Sequence, residues 1–148
     1  MRRLTGPSVL LVLALAGCVG PAGTPAGYEA KAGQAAAEGL SHLRTALLTV
    51  RTSVDGQLPA AYEETVLVDA EEGVGSVRAS FDSIQPPADP GSDRLRAELD
   101  TLLADAGDGV TDLRIAARRG DPAQLAATAR KLTPVADELE AFGEDHPG

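Results

Sequence analysis

Two histidines, one cysteine and a large excess of carboxylates are the side chains of this chain that could do chemistry. His42 follows Glu38 at i+4, whereas di-iron carboxylate bundles pair Glu and His at i+3, and no second pair exists. His146 falls near the C-terminus, where the sequence predicts a frayed tail. Covalent haem needs Cys-x-x-Cys-His, which is absent. Asp105, Asp108 and Asp112 lie near one face of a helical segment. A regular helix holds such carboxylates too far apart to chelate a hard cation, so they read as a solvated acidic face. The pairs Glu63-Glu64 and Glu71-Glu72 are read the same way. No Gly-x-Ser-x-Gly elbow surrounds a serine, and Ser41 and His42, being adjacent, point about 100° apart on a helix. These residues predict no catalytic site, no metal site and no cofactor, and hence no enzyme.

Cys18 is the only cysteine and stands in a telling place. Met1-Arg2-Arg3 is a basic start, Val9 to Ala14 an apolar run, and Ala16-Gly17 a small pair before the thiol. That is the layout of a secretory signal peptide. The apolar stretch is far short of the roughly 20 residues of a spanning helix. Leu15-Ala16-Gly17-Cys18 resembles the lipobox of bacterial lipoproteins. The resemblance covers about the first 18 residues. It implies removal of residues 1–17, lipidation of Cys18 and anchoring on the extracytoplasmic face of the cell membrane. Two or three acyl chains anchor far better than one.

Such processing would remove Arg2 and Arg3 and leave 131 residues, enough for one domain with a core. The remaining 11 Lys+Arg face 22 Asp+Glu, a net charge of −11. That acidity repels nucleic acid and anionic headgroups. Two Tyr, two Phe and no Trp argue against an aromatic cage.

The elements that would position these residues are helical. Residues 18–27 comprise the cysteine and a Gly/Pro-rich stretch without periodicity, which reads as a flexible tether. Ala36, Leu40, Leu43, Leu47, Val50 and Val54 step by four and three, a heptad seam. Leu67, Ala70, Val74, Val77, Phe81 and Ile84 form a second, and Leu95, Leu99, Leu102, Ala106, Val110, Leu113 and Ala117 a third. Leu125, Ala129, Leu132, Ala136 and Leu139 form the fourth, with Pro134 expected to kink it. The spacing predicts helices near 28–54, 60–84, 92–119 and 122–142, capped by Ser92 or Asp89 on the third and by Asp121-Pro122 on the fourth. No segment alternates with period two. An all-α, up-down-up-down four-helix bundle spanning residues 28–148 follows.

Two further features are ambiguous at this level. Arg119-Gly120-Asp121 spells an adhesion tripeptide, but each residue suits a tight interhelical turn. Gly73, Gly75, Gly107 and Gly109 weaken helix interiors by about 1 kcal/mol each relative to Ala. They would serve close helix approach, or flank a ligand pocket, or reflect codon bias. The sequence thus predicts an interaction or accessory module of the cell envelope, tied to the membrane through Cys18 and binding an envelope protein. The alternative is a small-ligand or sensory bundle whose cavity lies at the four glycines.

Overall fold

The computed structural model describes residues 23–148. Four helices follow one another: α1 (Pro25–Val54), α2 (Ala60–Asp82), α3 (Pro90–Arg118) and α4 (Pro122–Asp145). Each packs on its neighbours in sequence, α4 closes against α1, and α1 also meets α3 across the centre. This is the predicted antiparallel four-helix bundle, with no strand among the described residues.

Most seam positions form one core, but Val54, the last residue of α1, is exposed, and Leu47, Ile84, Leu95, Ala117 and Ala129 are only partly buried. Leu43, Leu67, Leu99, Leu113 and Leu139 have no exposed surface, and Val50, Val74 and Val110 at most 2 %. Leu103 and Ala116 join them from beside the α3 seam, because a globular bundle buries a broader stripe than a two-stranded coil. Small residues thin the α1 interface: Ala32, Ala36 and Ala46 are fully buried.

The helix ends show where local chemistry decides. Asp89 caps α3, its carboxylate accepting from the N–H groups of Gly91 and Ser92 at 2.8 and 3.3 Å. Asp121 caps α4, accepting from Gln124 N–H at 2.9 Å. Gly56 and Gly120 adopt positive φ of 71° and 63°, the conformation that ends α1 and α3. Arg96 of α3 donates to the Asp82 carbonyl at 2.8 Å and so clasps the longer α2–α3 loop.

Four boundaries differ from the sequence reading by two or three residues. α1 begins at Pro25, so Pro25, Ala26 and Gly27 belong to the helix and not to a tether. Proline suits a first helical turn, and the Thr24 hydroxyl accepts from Gly27 N–H at 3.1 Å. α2 stops at Asp82, two residues early, and α3 starts at Pro90 because Asp89 and not Ser92 is its cap. α4 runs through Asp145, past the predicted end at 142, and Pro134 lies inside it without terminating it. The expected frayed tail is docked instead. The His146 ring packs on Phe142 with centroids 4.6 Å apart, and its Nδ1 is 2.9 Å from the Glu29 carboxylate. Gly33 permits this, since a Cβ there would overlap the His146 backbone carbonyl.

The bundle therefore has two poles. One carries Pro25, the α2–α3 loop and His146. The other, here the loop pole, carries the tight α1–α2 and α3–α4 turns.

Candidate functional site

Ion pairs are distributed unequally over the bundle. Four of the six among the described residues join α2 to α3: Arg78–Asp100, Arg96–Asp82, Arg114–Glu71 and Arg118–Glu64. Glu71 is the best held, receiving Arg114 and the Thr111 hydroxyl at 2.8 Å. The Arg114 hydrogen bond lowers the Glu71 pKa, against an opposing effect of burial and with help from Thr111. The two carboxylate pairs expected on a solvated face thus include Glu64 and Glu71 in ion pairs and Glu63 in the interior.

The α1/α4 face is different. Among the described residues Arg44–Glu140, at 2.7 Å, is its only ion pair along the helices, with His146–Glu29 at the end. Beside it runs a groove of about 500 Å3. Leu47, Leu48 and Ala129 form its floor, and Arg44, Arg51, Arg130 and Thr133 its rim. Leu48 is 54 % exposed, a large apolar side chain left open while its seam neighbour Leu47 is half-buried. Arg51 and Arg130 have no carboxylate partner among the described residues. Proline at 134 has no N–H to donate to the Arg130 carbonyl. A cationic rim on an apolar floor is unexpected in a chain of net charge −9.

A second feature lies at the loop pole. Glu63, in the first turn of α2, is 6 % exposed, and its Oε1 atom has no hydrogen-bond partner. An unpartnered buried acceptor costs about 1–3 kcal/mol. Glu63 lines a cleft of about 230 Å3 between the two tight turns. The Tyr28 hydroxyl, at the opposite pole, is the other buried orphan, but it lines none of the surface clefts described here.

The residues singled out by sequence are placed as follows. Cys18 lies outside the described residues. His42 is half-buried, and its ring fills the space that a Cβ on Gly73 would need. Gly109 likewise makes room for Leu132 of α4. Gly75 faces open space and Gly107 meets only Val74 at 3.7 Å, so one glycine of each pair serves helix approach. None of the four lines a cleft described here. Asp105, Asp108 and Asp112 are exposed along α3, and the described residues contain no cluster of three or more potential metal ligands. Arg119, Gly120 and Asp121 form the α3–α4 turn in the roles of C-cap, left-handed glycine and N-cap. No helix among the described residues is long and apolar enough to cross a membrane.

The groove and Glu63 were not legible as sites. Leu48 falls outside the Leu43, Leu47 and Val50 seam, but a single off-seam leucine does not mark a site. Glu63 sits where a carboxylate ordinarily favours a helix N-terminus from the surface. Comparison of the chain with protein-family models, curated proteins and solved structures gives no match.

Proposed function

We propose that this protein is a lipid-anchored accessory module of the bacterial cell envelope. It is held by Cys18 and docks an acidic, amphipathic segment of an envelope protein into the α1/α4 groove. The observation that carries the docking is the pairing of exposed Leu48 with Arg51 and Arg130 in a chain that is otherwise strongly acidic. Apolar residues of the partner would cover Leu47, Leu48 and Ala129, and its carboxylates would meet the arginine forks. Tethering would confine the search for that partner to the membrane surface and raise its effective concentration there.

A photo-crosslinker at Leu48 in intact cells, followed by mass spectrometry, tests this. We expect adducts to an acidic segment of an envelope protein, reduced by Arg51→Glu together with Arg130→Glu and by Cys18→Ser. The same segment, as a synthetic peptide, should bind wild type and lose about tenfold or more in affinity to the double variant, the scale of a lost charge-assisted contact. Adducts only between copies of this chain would replace the reading with self-association. An N-terminus with a free thiol on mass spectrometry would end the anchoring claim.

A further inference from the structure

We propose that the cleft at the loop pole binds a primary ammonium group, with the Glu63 carboxylate as its recognition element. The inference is independent of the α1/α4 groove and rests on different residues.

Glu63 is more than nine-tenths buried, yet Oε1 meets no donor from the chain. Glu63 stands in the first turn of α2, whose N-cap, Pro59, makes no side-chain cap contact. Oε1 is itself sealed from solvent, so a donor from outside would meet the carboxylate through Oε2 and compensate the charge that Oε1 leaves unpartnered. Charge points to a cation: Glu63 and Asp121 both line the cleft, and no lysine or arginine does. Arg118 borders the adjoining recess but is engaged by Glu64. Val54, Ala117 and Leu125 give the walls an apolar character suited to a short alkyl stem. Ser53 and Asp121 offer further oxygen atoms on the rim for the remaining protons.

The donor geometry favours ammonium over guanidinium. A guanidinium fork wants both oxygens of a carboxylate side by side, whereas burial of Oε1 leaves only the other oxygen of Glu63 within reach. A compact ammonium carries three donors that can diverge to separate acceptors. At about 230 Å3 the cleft falls below the usual range for drug-sized ligands and fits a small alkylamine or one lysine side chain. The two sources share one chemistry.

The test uses the full chain, purified in detergent, with n-butylamine, n-butanol and a lysine-containing peptide of blocked termini as probes. Methyl NMR signals of Val54, Ala117 and Leu125 should shift saturably with n-butylamine. Binding of n-butanol should be weaker by about tenfold or more, as expected where the charge-assisted bond is lost. Glu63→Gln should weaken n-butylamine by a similar factor, and Glu64→Gln should leave it within about twofold. Tighter binding of the blocked peptide than of n-butylamine would assign the site to a partner's lysine; the reverse order would assign it to a free amine. Equal response to n-butylamine and n-butanol in wild type overturns the proposal, and that comparison needs no variant to fold. Absence of saturable shifts at the cleft with either amine overturns it as well.

Discussion

The α2/α3 and α1/α4 faces are built from similar helices and end differently. Across α2/α3, four arginine–carboxylate pairs cover the seam from Glu64 to Asp100. Across α1/α4, one such pair leaves the rest of the surface to Leu48, Arg51 and Arg130. The ion pairs add modest energy, since exposed pairs contribute about 0–1 kcal/mol. Their effect is to occupy Arg78, Arg96, Arg114 and Arg118, so the α2/α3 seam offers a partner little unpaired positive charge. The same residue types are open to a partner, as proposed for the α1/α4 groove, only where they are left over. Composition therefore says less about interaction than the pairing of charges does.

The strongest way to break this contrast is to compare two leucines on α1. Leu43 is fully buried and Leu48 is 54 % exposed. Leu43→Ala should cost about 2–5 kcal/mol and Leu43→Asp should unfold the bundle by burying an unpaired charge. Leu48→Ala should change stability by no more than about 0.5 kcal/mol. Thermal and urea melts followed by circular dichroism decide it. A large loss at Leu48 would make the groove floor part of the core and remove it as a free surface.

An intermediate effect is expected at Glu71, where acid should sharpen the difference between the faces. Its folded pKa lies below the ordinary value near 4.5 because of the Arg114 hydrogen bond. A carboxylate lowered by folding contributes stability that is fully present above its unfolded pKa and lost as pH falls through the folded one. Glu71→Gln should therefore lower Tm by a few degrees at pH 7 and lose that effect on descending below about pH 4. Arg44→Gln, which opens the exposed Arg44–Glu140 pair, should show almost no effect at either pH. Melts of both variants from pH 7 to pH 3 provide the check, and parallel curves for the two would remove the distinction.

The smallest effect is expected at Thr24. Thr24→Ala should cost about 1 kcal/mol or less and fray the first turn of α1 without touching either face. Amide exchange at Gly27 and Tyr28 reports it directly. Unchanged protection there would mean that Pro25 alone sets the start of the helix.

Much of this architecture was legible in the chain. Leu67, Ala70, Val74, Val77 and Phe81 were all expected inside, and all are. Asp121-Pro122 and Gly120 also mark their turn from sequence. The errors have physical causes. Pro25 and Gly27 look like breakers, but proline is harmless in a first turn and the Thr24 hydroxyl caps it. His146 looks like a tail residue because its partners, Glu29 and Gly33, lie over a hundred residues away. Buried Thr49 and Thr128 escape a seam drawn from apolar residues alone. The groove was not legible because it depends on which arginines find carboxylates, and that is settled by helix rotation in three dimensions. Glu63 was read as solvated because sequence cannot show that the α1–α2 and α3–α4 turns enclose it.

The docking of the last residues against α1 has a consequence for how the molecule can be joined to other things. A Cβ on Gly148 would press on Gln34 and the Ala30 carbonyl, while α1 itself begins a few residues away at Pro25. Both ends of the described chain thus leave from the same pole. Anything fused to either terminus crowds that side, and the opposite pole, with Gly56, Gly120 and the Glu63 cleft, stays clear. At about 1.5 Å per residue, the 30 residues of α1 separate the two by about 45 Å. An attachment at Cys18, as proposed, would therefore hold the bundle by one end and leave its turns at the other.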